Sequence, residues 1–137
     1  MVRRPFGNLK FPKYGNSRTE FAGRSFASKL EASVAGVWQL HQAAGELRDV
    51  EYQVEVRLTR AGVIYKPDMR AWHLGGLVDD KGRPVAVGPI YGEAKGFETP
   101  EWRIKKRLWS VYGPGPLAIY MGAAARPKLV EWVIPSG

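Results

Sequence analysis

The residues best suited to chemistry lie in two short segments, Ile64-Tyr65-Lys66-Pro67-Asp68 and Tyr91-Gly92-Glu93-Ala94-Lys95-Gly96. On a strand, Glu93 and Lys95 are two positions apart and project from the same face, setting a carboxylate beside an ammonium. If a neighbouring strand carries Asp68, a second carboxylate reaches the same sheet edge. Two carboxylates with a lysine make a hard oxygen site suited to Mg²⁺, with Mn²⁺ as its substitute. Phosphodiester hydrolysis needs a water made nucleophilic near neutral pH and neutralisation of charge growing on the phosphate, and a divalent cation held by carboxylates provides both while templating in-line attack. A lysine ammonium is a poor base in water, but beside a metal ion it can lose its proton, and as a cation it still orients water. Lys95 is read as a water-positioning group, with a base role left open.

Composition removes the competing chemistries. The 137 residues contain no Cys and only two His, so thiolate zinc sites, disulfides and a Cys nucleophile are excluded. His41 reads as the polar edge of a helix and His73 as a strand-end residue, neither with partners for a metal. A hydrolytic centre must therefore rest on carboxylates and lysine. Lys+Arg number 21 against 13 Asp+Glu, a net charge of +8, which suits a polyanionic partner such as nucleic acid. A basic protein kept soluble by repulsion has the same balance.

Each candidate also has a plainer reading. Ser28-x-x-Glu31 is a capping box, in which Glu31 satisfies a backbone amide at a helix start. Asp68 after Pro67 suits a turn, and Glu93-x-Lys95 suits a solvated ion pair on an edge strand. Their occurrence together, in order, favours a site.

The elements that must position these residues follow from periodicity. Leu30, Val34, Val37, Trp38 and His41 recur at helical spacing over 28–44, with Gly45 as the stop. Apolar and polar residues alternate over 50–58, predicting a strand with one buried face. A turn at Ala61-Gly62 leads to a partner strand over 63–72, and Asp79-Asp80-Lys81-Gly82 to a third over 85–95, interrupted at Gly88-Pro89. Thr99-Pro100-Glu101 opens a helix expected over 100–112 and ended by Gly113. Short apolar runs at 117–121 and 129–134 predict two last strands. The expected fold is α/β, a mixed central sheet flanked by helices. Residues 1–24 form a basic arm carrying Arg3, Arg4, Lys10, Lys13, Arg18 and Arg24 against Glu20 alone, with Phe6, Phe11 and Tyr14 between them. Residues 25–137 form one domain. The N-terminus lacks the apolar segment of a signal peptide, and no apolar run is long enough to span a membrane.

Pro67-Asp68, Glu93-Ala94-Lys95 and the early helix glutamate Glu31, followed by a basic helix, resemble the PD-(D/E)XK nuclease superfamily. Its order of helix, three strands, helix and strand is similar to the pattern over residues 25–122. The resemblance implies a restriction-endonuclease-like core. It also implies that Asp68, Glu93 and the backbone carbonyl of Ala94 bind Mg²⁺, that Glu31 binds directly or through water, and that Lys95 positions the attacking water. Some members carry a glutamine near the position of Gln53, which from its place on a polar strand face reads as a solvent-facing amide. Lys105 and Lys106 on the second helix, with the arm, would contact phosphates.

In size and basicity the chain is similar to archaeal-type Holliday junction resolvases and small phage nucleases. That likeness implies a homodimer making paired nicks in branched DNA, a four-way junction, in DNA recombination and repair. The interface would use apolar surface on the last strands, including Trp132. It also implies the cytoplasm of a prokaryotic host, with phage encoding an option, and no small-molecule cofactor or membrane. With no module for reading base edges, selectivity would come from branch shape. Alternatives are a nicking, flap or mismatch nuclease on the same core, and a non-catalytic basic nucleic-acid-binding protein. A ribonuclease-H-like resolvase ranks below these, because it uses four carboxylates and lacks a comparable lysine.

Overall fold

Ser28 starts the first helix by accepting a hydrogen bond on its side chain from the Glu31 amide, with extended backbone of its own. The computed structural model describes residues 19–21, 24–78, 80–86 and 88–136. A short antiparallel hairpin, β1 (Thr19–Phe21) with β2 (Arg24–Phe26), precedes that helix, α1 (Lys29–Ala43). There follow β3 (Leu47–Tyr52), β4 (Val56–Arg57), β5 (Ile64–Tyr65), β6 (Met69–His73), β7 (Leu77–Val78), β8 (Pro84–Ala86) and β9 (Pro89–Ala94). The second helix, α2 (Pro100–Tyr112), has Thr99 as N-cap and proline at its start, and leads to β10 (Leu117–Ala123) and β11 (Arg126–Val133).

The central sheet has five strands in the order β11-β10-β9-β6-β3, and is mixed. Strands β3, β6 and β9 form antiparallel pairs, β10 lies parallel to β9, and β11 returns antiparallel to β10. A parallel neighbour needs a crossover, which α2 supplies between β9 and β10. The fold is therefore mixed α/β, in agreement with the expected class. Among the described residues no helix is long and apolar enough to cross a membrane.

Side chains alternate across the sheet and build a core on each face. On one face Leu30, Val34 and Trp38 of α1 pack with Met69, Ala71, Ile90 and Ala118. On the other, Trp102 and Trp109 of α2 pack with Tyr65, Tyr91, Leu117 and Ile119. Ile90 faces α1 and Tyr91 faces α2, so the alternation carries Glu93 onto the α2 face. Gly92 falls on the α1 face, where an added Cβ would stand 2.7 Å from the Trp38 ring and 2.9 Å from Met69. The absent side chain lets α1 lie against the strand that carries Glu93.

The strands are more broken than periodicity implies. The expected strand over 50–58 divides at Gln53 into β3 and β4, and Gln53 adopts a left-handed φ of 54°. Val50 and Tyr52 pack on the α1 side, whereas Val56 and Leu58 belong to the α2 side, so the chain crosses the sheet plane at the break. The strand over 63–72 divides at Lys66-Pro67-Asp68 into β5 and β6, while the one over 85–95 divides into β8 and β9 beside Gly88-Pro89, where an interruption is expected. Pro67, with no amide hydrogen and fully buried, suits such an interruption. Of the basic arm, Arg3, Arg4, Lys10, Lys13 and Arg18 lie outside the described residues, while Arg24 opens β2 rather than ending a tail.

Candidate functional site

The site is assembled where α1, the β3–β4 break, the β5–β6 bend and the end of β9 meet. Glu31, in the first turn of α1, is buried. One of its oxygens, Oε2, accepts from the Ala27 amide at 2.8 Å, and Oε1 accepts from Gln53 Nε2 at 2.9 Å. The two oxygens divide the labour, one closing the helix start and the other turned to the site, so the capping and site readings hold together. Asp68 sits in the bend before β6, with Oδ1 accepting from the same Gln53 Nε2 at 3.1 Å and Oδ2 from the Ala94 amide at 2.8 Å. A strand residue presents its N–H and C=O to the same neighbour, which places the Ala94 carbonyl on the Asp68 side of β9.

Glu93 is only 4% exposed, and its Oε1 is buried without a hydrogen-bond partner. Its other oxygen, Oε2, lies 3.8 Å from Lys95 Nζ, the same-face pair that strand spacing predicts. Lys95 also stands over the Trp102 ring, 4.7 Å from its centroid. That cation–π contact and the Glu93 carboxylate hold the ammonium at the mouth of the site. The Tyr65 hydroxyl is buried and unpartnered like Glu93 Oε1.

Burial dominates the electrostatics. It raises the Asp68 carboxyl to about 7, helped by the Glu93 charge and opposed by Glu31 and the Ala94 amide. Burial likewise raises Glu93 to about 7, opposed chiefly by Lys95 and reinforced by the Glu31 charge. Tyr65 is raised above the ordinary phenol range by burial, then by the charges of Glu93 and Asp68. The carboxylates thus sense one another, as like charges in one site must.

Compared with protein-family models and with curated proteins, the chain finds no match. What the site can do must be read from its own geometry. A cleft of about 500 Å³ opens beside it, with Tyr65, Lys66, Asp68, Glu93, Lys95 and Lys105 on its walls. Glu31 and Gln53 stand behind Asp68, bonded to it through the Gln53 amide.

Among the described residues, no group of three or more His, Cys, Asp or Glu forms a ready-made cation cage. The donor set nonetheless fits a hard cation. Glu93 offers a buried oxygen with no other partner, and Asp68 and Glu93 are two carboxylates whose mutual repulsion a divalent ion would relieve.

The sequence-predicted residues fare differently. Glu31, Asp68, Glu93 and Lys95 are brought together. Lys105 reaches the cleft wall and pairs with Glu101 at 3.5 Å. Lys106 is paired instead with Glu98 at 3.8 Å and with Glu131 of β11. Gln53 is exposed, as expected of a solvent-facing amide, and its side chain also reaches the site, where it bridges two carboxylates. The reason is its left-handed backbone, which takes it out of strand alternation. His41 pairs with Glu46, and both it and His73 line a separate cavity on the α1 face. Trp132, expected at an interface, packs partly buried against the α1-side core. Tyr65 and Trp102 were missed as site residues. Tyr65 lies within the Ile64–Asp68 segment, and Trp102 stands one turn into the helix after Lys95, so proximity to the motif was the available signal.

Proposed function

We propose that the chain is a metal-dependent, structure-selective DNA endonuclease of the PD-(D/E)XK type, acting as a Holliday junction resolvase. The observation that carries this reading is the convergence of half-buried Asp68 and buried Glu93, backed by Glu31, beside Lys95 at the end of the central strand β9. Antiparallel β3, β6 and β9, followed by helical crossover to parallel β10, also support a restriction-endonuclease-like core.

In this reading Asp68, Glu93 and the Ala94 carbonyl would hold Mg²⁺, with Glu31 binding directly or through water. The bound ion supplies Lewis acidity and an activated water. Lys95, steadied by Glu93 and Trp102, would orient an attacking water toward phosphorus and offset charge on the phosphate. Attack forms a new P–O bond as the bond to the 3′ oxygen breaks, and the proton lost by water is balanced by one gained at the leaving oxygen. Lys66 and Lys105 on the cleft walls suit the flanking phosphates.

The substrate assignment rests on the net charge of +8 and on the absence of any sequence-readable base-recognition module. Paired nicks call for two sites related by a two-fold axis, hence a homodimer. Edge strand β11, with Leu129 and Val130 exposed, supports that arrangement better than inward-packed Trp132. Incubating the protein and Mg²⁺ with labelled four-way junctions should give paired, symmetric nicks. Cleavage of linear duplex at the same rate would remove the resolvase assignment.

A further inference from the structure

Gln53 is built into the site at a cost to the backbone. Among the described residues it and Asp49 are the non-glycine residues with left-handed φ, 54° and 55°, a conformation that disfavours L side chains by roughly 1–2 kcal/mol. Its main-chain amide donates to the Asp68 carbonyl at 3.1 Å, which fixes the bend. From there the side-chain nitrogen donates to Glu31 Oε1 at 2.9 Å and Asp68 Oδ1 at 3.1 Å. The nitrogen must be the inward atom, because the amide oxygen facing two carboxylates would meet only acceptors, whereas the NH₂ group has one proton for each.

A primary amide is a neutral donor. It satisfies two carboxylate lone pairs by hydrogen bonding, but leaves the charges uncancelled. A divalent cation would seek those same oxygens, whose lone pairs the Gln53 protons now occupy. We infer that Gln53 is a place-holder that competes with the cation for Glu31 and Asp68, keeping the two carboxylates gathered until the ion displaces its amide. This rests on the reading of Glu31 and Asp68 as cation ligands. On cation binding the amide gives up both hydrogen bonds, and the bend at Gln53 can relax.

The test is Mn²⁺ binding, measured calorimetrically without DNA, on the full chain and on two variants. Gln53→Gly removes the amide and suits the left-handed backbone, so its fold is preserved. Gln53→Met keeps the length and removes the donors. Each variant should bind Mn²⁺ at least about tenfold more tightly than the parent, because neither of two hydrogen bonds to charged acceptors any longer competes. Each should also show a larger rise in Tm on adding Mn²⁺. If the parent binds Mn²⁺ while Gln53→Gly binds it equally or less tightly, the place-holder role is overturned and the cation site stands. If neither parent nor variants bind Mn²⁺, the cation site itself is overturned, and the role of Gln53 with it.

Discussion

At the scale of single residues, the site opposes the stability of its own fold. Asp68 and Glu93 are raised from ordinary carboxyl values to about 7, chiefly by burial. A carboxyl whose folded-state value is raised contributes stability fully present below its unfolded value of about 4, and lost as pH climbs through about 7. Without divalent cations, Tm should therefore fall between about pH 4 and pH 7 and then level off. Added Mg²⁺ should flatten that fall, since it favours the ionised forms. Glu93→Gln removes the buried charge, so at pH 8 without metal it should melt above the parent and show a shallower pH dependence. Thermal melts of both proteins across pH check this, and a variant that melts below its parent at pH 8 would contradict it.

The residue types at the site were readable because function demands unusual ones. A same-face Glu and Lys on a strand, and an aspartate where a proline interrupts another, stand out from an ordinary amphipathic pattern. Gln53 did not, because its role follows from a left-handed φ that its residue type does not favour. Glu31 was readable in two ways, and both hold because a carboxylate has two oxygens.

At the scale of elements, the helices were legible to within about a residue of their ends, because Ser28 and Thr99 cap them and a proline follows Thr99. The long strands were not. Alternation reports which residues are apolar, not which side of the sheet they meet. The run from Val50 to Leu58 keeps its period while passing from the α1-side core to the α2-side core. Breaks at Gln53 and at Lys66-Pro67-Asp68 turn chemistry-bearing residues out of regular strands and toward the end of β9. Packing across β9 is just as exacting. Gly92→Ala places a methyl carbon 2.7 Å from a Trp38 ring carbon, closer than two carbons pack. It should lower unfolding free energy by about 1–3 kcal/mol in denaturant titrations, the usual cost of overpacking a close-packed core. An unchanged midpoint would mean that α1 and β9 are less tightly apposed than described.

At the scale of the whole molecule, sheet order follows from connection rules more than from any motif. β3, β6 and β9, joined by connections that hold only short strand pairs and no helix, lie antiparallel, and a strand returning after a helix lies parallel. That is why the α/β class was legible, while the short pairs β4–β5 and β7–β8 beside the main sheet were not. The same architecture puts both halves of the site where the internal strands β6 and β9 meet, with the cleft and its lysines alongside. Lys66, Lys95 and Lys105 line the cleft beside a centre that is itself acidic, an arrangement that on the proposed reading would draw a polyanion and seat a cation beside its phosphate.

The most direct test of this account is cleavage of a labelled four-way junction in Mg²⁺ by the parent chain and by Asp68→Ala, with binding of the same DNA measured in parallel. The account predicts nicking by the parent, loss of nicking in Asp68→Ala, and binding retained by both. Undiminished nicking by Asp68→Ala, or none by the parent despite binding, would contradict it.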